Sequence, residues 1–176
     1  MKLLVTGGAG FIGSNFIRHV LSARRDMDIV NFDKLTYAGN PESLSDLASD
    51  PRYDFVRGDI SDPQAVADVF KRGFDALVNF AAETHVDRSI EDASPFLRTN
   101  VSGAQCLLEA ARASKLPRFI HISTDEVYGS APAGGSPGNF SVLAPGPAVK
   151  SSLPGVILLR KGNTRRSGTY SPSGTR

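Results

Sequence analysis

The sequence predicts an α/β fold, a doubly wound parallel sheet with helices on both faces, and three observations carry that expectation. Short apolar runs alternate with helix-period segments from Lys2 to Gly129. A glycine-rich turn, Thr6-Gly7-Gly8-Ala9-Gly10-Phe11-Ile12-Gly13, stands between the first apolar run and the first helical one. An acidic residue, Asp33, closes the second apolar run, 20 residues beyond Gly13.

Taken in order, Leu3 to Val5 fits a buried first strand. Phe11, Ile12, Phe16, Ile17, Val20 and Leu21 then recur at helical spacing. Ile29 to Phe32 reads as the second strand and Phe55 to Arg57, before Gly58 and Asp59, as the third. Asp62 followed by Pro63 starts a helix, because the carboxylate can cap free N–H groups and proline suits the first helical position. Ala76 to Ala82 is the fourth strand. Ser94 and Pro95 open a helix that carries Phe96, Leu97, Val101, Leu108 and Ala111, and Phe119 to Ile122 is the fifth strand, ending in Ser123. Crossovers between parallel strands are right-handed, which puts helices on both sides of the sheet.

The chain has 176 residues, 40% of them hydrophobic and 22% charged, an ordinary balance for one globular domain with a core. No apolar stretch approaches the roughly 20 residues of a membrane span, and Met1 runs directly into a strand without a secretory pattern, so the expectation is a cytoplasmic protein with no membrane partner. The single cysteine, Cys106, has no cysteine to pair with and sits among apolar residues, which reads as a core thiol. The net charge of +2 arises entirely in the last 46 residues, which hold six basic groups and no acidic one. That tail contains only Phe140 and Tyr170 as aromatics, too few to interleave with its cations, so nucleic acid is not the expected partner.

The turn between strand and helix is the feature with the most chemistry. Glycines at 7, 10 and 13 let the backbone turn tightly and approach a pyrophosphate, whose charge the N-terminus of the following helix favours. Asp33 stands where a carboxylate can accept hydrogen bonds from an adenosine ribose. Lys34 beside it leaves some tolerance for a 2′-phosphate, but the expected cofactor is NAD in a Rossmann-type domain. No metal site is expected.

Four separated segments then resemble one family, the dTDP-glucose 4,6-dehydratases of the extended short-chain dehydrogenase/reductases. They are Asp33-Lys34-Leu35-Thr36-Tyr37-Ala38-Gly39-Asn40, Ala81-Ala82-Glu83-Thr84-His85-Val86-Asp87-Arg88-Ser89-Ile90, Thr99-Asn100-Val101 and Ser123-Thr124-Asp125-Glu126-Val127-Tyr128-Gly129. The resemblance implies that hydride passes from C4 of a dTDP-glucose substrate to NAD, that water is lost across C5 and C6, and that hydride returns to C6. It implies that Phe11, Ile12, Asp33, Lys34, Leu35, Thr36, Asp59, Ile60, Phe80, Ala81, Ala82, Glu83, Thr84 and Thr99 line the cofactor, beside Gly7, Gly10 and Gly13. Thr84 and Thr124 would also approach the substrate. Asp125 would protonate the departing C6 hydroxyl, and Glu126 would remove the C5 proton. Adjacent carboxylates at the carboxyl end of a sheet strand suit such roles, since burial of like charges raises at least one pKa. Without the resemblance, Asp125 and Glu126 also read as a solvated turn or a capping pair. His85, Asp87 and Arg88 are given no catalytic role.

The chain departs from the family pattern after about residue 131. The pattern calls for a tyrosine with a lysine four residues on, but Tyr128 is followed by Pro132 and Tyr170 by Gly174. Residues 132–176 form a basic, Gly/Pro-rich tail in which only Val156 to Leu159 looks like a strand, and the expectation is disorder or an aberrant segment, with the NAD-binding domain confined to 1–131. Codons permitted for Pro137 to Pro145 can spell Glu-Thr-Ser-Pro-Tyr-Ser-Pro in another frame, close to what the family has there, so a reading-frame slip near Ser136 is the expected cause. An impaired dehydratase follows, with a homodimer implied by the family. The alternatives are a nucleotide-sugar 4-epimerase relative, which has no need of Asp125 and Glu126, and a non-catalytic NAD-binding module.

Overall fold

A computed structural model describes residues 1–123 and 156–160, with the backbone alone for 86–88 and 156–160. Six parallel strands form one sheet in the order β3-β2-β1-β4-β5-β6. They are β1 (Lys2–Thr6), β2 (Asp28–Asp33), β3 (Tyr53–Arg57), β4 (Ala76–Asn79), β5 (Phe119–Ser123) and β6 (Val156–Arg160). The chain returns to the sheet through α1 (Phe11–Ala23), a 3₁₀ segment (Pro41–Leu47), α2 (Pro63–Phe70), α3 (Val86–Glu91), α4 (Ser94–Phe96), a π-helical stretch (Leu97–Gly103) and α5 (Ala104–Ala113).

The strands alternate between two cores. Leu4, Val30, Phe32 and Leu77 face α2 and α5, where Val66, Val69, Phe70, Leu107 and Ala111 cover them. Leu3, Val5, Ile29, Ala76 and Val78 point the other way, onto Ile17, Val20 and Leu21 of α1. The fold is doubly wound, as the two buried faces require. Each fully buried Leu, Ile or Phe in these layers contributes about 1.5–3 kcal/mol by leaving water. The expected cap of α2 is present: Asp62 accepts from the N–H groups of Gln64 and Ala65, with Pro63 in the first turn.

Several local expectations are corrected. β4 ends at Asn79 rather than Ala82, because the Asn79 side-chain oxygen takes the Ala81 N–H at 3.1 Å and draws the chain off the sheet. Phe11 and Ile12 occupy the first turn of α1, where Phe11 is 84% exposed and Ile12 41%. The apolar series from Phe96 to Ala111 does not form one buried face. The π-helical stretch from Leu97 to Gly103 has a wider turn, which rotates what precedes it out of phase with α5. Leu97 and Val101 are consequently exposed, whereas Leu107 and Ala111 are buried. Cys106 is half-buried against the α2–α5 core, and burial, with Glu109 and Asp62 nearby, raises its thiol pKa.

β6 pairs with β5 in parallel from Phe119 and Val156 to Ser123 and Arg160, so the strand read at 156–159 joins the same sheet. Thr124, Asp125 and Glu126, and the proposed frame slip near Ser136, lie outside the described residues. Among the described residues no helix is long and apolar enough to cross a membrane, and no cluster of metal-ligating side chains occurs.

Candidate active site at the switch point of the sheet

Strand order reverses between β1 and β4, and the loops that leave the carboxyl ends of β1, β2, β3 and β4 open there around one cleft. Ligands of open α/β sheets bind at this kind of crevice, because diverging loops leave a gap and helix N-termini point into it. The cleft encloses about 560 Å³, including space open to solvent.

The glycine loop is built for close backbone approach. Gly7 has a φ of 70°, and a Cβ there would stand 2.5 Å from the Ala81 nitrogen, so only glycine serves the turn from β1 past the start of the β4 loop. A Cβ on Gly13 would stand 2.4 Å from the Gly7 carbonyl oxygen, which fixes how tightly α1 seats on the loop. The cap residue of α1, Gly10, has no side chain to satisfy the first-turn N–H groups, and the first turn holds no acidic residue. Those donors and the positive end of the helix dipole suit a phosphate.

Asp33 is buried at the end of β2, and both its oxygens are engaged by backbone. One accepts from Ala9 N–H at 2.9 Å and the other from Leu35 N–H at 2.8 Å. The carboxylate therefore ties the glycine loop to the β2 loop and holds Leu35 at a φ of 58°, a conformation that costs a residue with a Cβ and persists only when its surroundings impose it. Each oxygen keeps a lone pair for a further donor.

Lys34 and Asp59 meet across the cleft rim, Nζ to Oδ2 at 2.7 Å. The Asp59 carboxylate also accepts from Ser61 N–H and Ser61 hydroxyl at 2.9 and 2.8 Å. Burial alone would raise its pKa, but the Lys34 ammonium and the Ser61 donors outweigh that and hold it below the usual carboxylate value. On the loop after β4, Asn100 makes a two-way amide clamp with Glu83: its side-chain oxygen takes Glu83 N–H at 2.8 Å and its amide donates to Glu83 carbonyl at 2.9 Å. The π-helical stretch that bears Asn100 also sets Thr99 on the cleft.

The cleft thus brings together Gly7, Gly10, Asp33, Lys34, Thr36, Asp59, Ile60, Phe80, Ala81, Ala82, Glu83 and Thr99 from the sequence expectation. Phe11, Ile12 and Gly13 lie at the start of α1 beside it rather than on its wall. Leu35, the left-handed link, is half-buried and not on the cleft wall, and Thr84 is exposed one residue past the clamp. Sequence reasoning missed Phe32, Ala38, Gly39 and Gly58, which also line the cleft. Gly58, directly after β3, gave a signal: a Cβ there would collide with the Phe32 ring.

A second polar group lies behind the cleft. Thr6, Asn79 and His121, on β1, β4 and β5, form a hydrogen-bonded row in which the Thr6 hydroxyl donates to the Asn79 oxygen and Asn79 Nδ2 donates to His121 Nδ1 at 2.9 Å. Burial lowers the His121 pKa. Nothing in the sequence singled out this row, because its members are 73 and 42 residues apart.

Comparison with known proteins agrees with this geometry. The family model described as GDP-mannose 4,6 dehydratase matches residues 4–138. A dTDP-glucose 4,6-dehydratase of Streptomyces niveus is 50% identical over 162 residues, covering 90% of this chain and 48% of that protein. A crystal structure of DesIV, a dTDP-glucose 4,6-dehydratase from Streptomyces venezuelae with NAD bound, superposes with a TM-score of 0.70 at 52% identity, over 74% of this chain and 42% of that one. The UDP-Glc/GlcNAc 4-epimerase of Campylobacter jejuni superposes with a TM-score of 0.67 at 35% identity, over 73% of this chain and 38% of that one. The chain spans about half the length, or less, of the relatives it matches. With strand order, glycine loop and cleft in place, and with the family model matching more than half of this chain, the chain belongs to the GDP-mannose 4,6 dehydratase family.

Proposed function

We propose that this chain is the NAD-binding part of a dTDP-glucose 4,6-dehydratase. The observation that carries the reading is the cleft itself: an uncapped helix N-terminus beside a glycine loop, next to a buried carboxylate at the end of β2. The donor set fits a dinucleotide. The first turn of α1 would take the pyrophosphate, Asp33 the adenosine ribose, and Asp59 and Ile60 the neighbouring ring. When bound, NAD supplies a hydride acceptor and donor. The residues of this chain bind and orient it and shield it from water, and Thr99 and the Asn100 clamp order the wall that faces the sugar.

In this reading Thr84 and Thr124 approach the dTDP-glucose, Asp125 is the acid toward the C6 hydroxyl and Glu126 the base toward C5. The NAD-binding unit in this reading is residues 1–131 together with β6, which pairs with β5 in the same sheet, and turnover by the chain alone is low for want of the Tyr and Lys pair. General acid–base groups typically contribute about 10²–10⁴-fold each. A homodimer is also proposed. The exposed apolar side chains of Ile90, Leu97 and Val101 on successive helical segments support it. A cytoplasmic setting goes with the reading, and a lone half-buried Cys106 suits a reducing compartment.

The test is isothermal titration of the 176-residue chain with NAD and then dTDP-glucose, with 4-keto product assayed in the same sample. Saturable NAD binding with little product is expected. Absence of NAD binding would remove the reading, and rapid turnover would overturn the assignment of low activity. An epimerase would instead interconvert the C4 hydroxyl configuration without forming a stable 4-keto product.

A further inference from the structure

The position after Asp33 holds a lysine, and a cation beside an adenosine ribose is the ordinary means of accepting a 2′-phosphate. In this chain the cation is already spoken for. Lys34 Nζ lies 2.7 Å from Asp59 Oδ2, and the carboxylate it meets is the fixed partner of the two, 15% exposed against 49% for the lysine. Ser61 donates twice to Asp59 Oδ1, Arg98 Nε donates to the Ser61 hydroxyl at 3.0 Å, and Arg98 Nη2 stands 3.7 Å from Oδ2, the oxygen that meets Lys34. Asp59 is thus anchored from α2's approach and from the π-helical stretch, and the flexible lysine goes to it.

We propose that Asp59 is a specificity-determining residue of the cleft: by holding the Lys34 ammonium on the rim it denies that charge to a 2′-phosphate, so the choice of NAD over NADP rests on the Lys34–Asp59 pair as well as on Asp33. The charged residues lining the cleft are Asp33, Lys34, Asp59 and Glu83, so the lining disfavours a further anion and does so less once Asp59 is neutralised. Replacing Asp59 with a neutral residue of the same shape moves the rim by one positive charge and frees an ammonium one residue from Asp33. The inference rests on the NAD-binding reading above and adds to it a second residue that sets the cofactor.

The experiment measures NAD and NADP dissociation constants by titration calorimetry for the full chain, Asp59→Asn, Lys34→Ala and the double variant. The wild type should prefer NAD. Asp59→Asn should shift the ratio toward NADP by about tenfold, the scale of one hydrogen bond to a charged group, and the double variant should lose that gain. Asp59→Ser, read in the same way, stands in if Asp59→Asn lacks the wild-type circular dichroism spectrum. A ratio unmoved by Asp59 substitution, a gain that survives in the double variant, or a wild type that binds both dinucleotides equally would overturn the proposal. A wild type that binds NAD with an unmoved ratio removes this proposal alone, whereas one that binds neither removes the NAD reading with it.

Discussion

The two walls of the cleft are built differently. On the β1–β2 side, a buried carboxylate, a left-handed leucine and a glycine at positive φ lock two loops through backbone groups. On the β4 side, the Asn79 oxygen takes the Ala81 N–H and an amide clamp joins exposed Asn100 to half-buried Glu83, beside a π-helical stretch whose Leu97 and Val101 are exposed. The first wall is self-sufficient and the second leaves apolar surface uncovered. A cofactor-binding wall gains from rigidity, because a preformed site loses less entropy on binding. The β4 wall has the fewer internal bonds, and loops that adjust to ligands are usually drawn from such regions.

The sharpest way to break the first wall is Gly7→Val. The added side chain meets the Ala81 backbone, which cannot move aside as a flexible side chain would, and a β-branched residue at a φ of 70° is strained as well. The expected outcome is loss of NAD binding and a stability loss of about 3 kcal/mol or more, since overpacking and a forced left-handed residue each cost about 1–3 kcal/mol. Urea unfolding and NAD titration of the variant read both. A variant with wild-type midpoint and affinity would show that the loop is not held as tightly as its contacts require.

The comparison itself is tested by a pair of substitutions. Asp33→Ala leaves the buried N–H of Ala9 and the part-buried N–H of Leu35 without their acceptor, an expected cost of about 2–3 kcal/mol. Asn100→Ala removes two hydrogen bonds from groups that water can reach, for an expected cost of about 1 kcal/mol or less. Equal losses in chemical denaturation would mean that the two walls are equally stiff. Hydrogen exchange at Leu35 and Glu83 gives the same contrast residue by residue, with Glu83 the faster.

These differences also mark what could be read from the sequence. The strands, the glycine loop and Asp33 were legible because each depends on neighbours within one turn or on a short apolar run. The phase of the helix after Ser94 was not, since a π-helical stretch carries no residue signature and shifts the 3.6-residue period. The Lys34–Asp59 pair was half visible: both residues stood among the expected cleft lining, but their contact spans 25 positions and two different loops. Gly58 was missed although its place after β3 is as telling as that of Gly7, because the Phe32 ring it must clear belongs to another strand.

The smallest expected effect concerns the row behind the cleft. His121 accepts from Asn79 through Nδ1 and is desolvated, so its folded pKa lies below the ordinary histidine value of about 6.5. With the folded pKa depressed, the unfolded chain takes up a proton first as pH falls, and at pH values just below 6.5 it binds more protons than the folded chain does. Stability therefore holds above that value and declines on acidification from there toward the folded pKa. The slope contributed by this residue stays under one proton. His121→Gln, which keeps a polar side chain of similar reach, should flatten the decline on acidification below about pH 6.5 in urea midpoints while leaving the midpoint at pH 8 nearly unchanged. Carboxylates such as Asp59, with depressed pKa values, lose their contribution only at lower pH, so the two causes separate along the pH axis. An unchanged decline in His121→Gln would assign it to other groups and leave the Thr6–Asn79–His121 row as a purely neutral hydrogen-bonded tie across three strands.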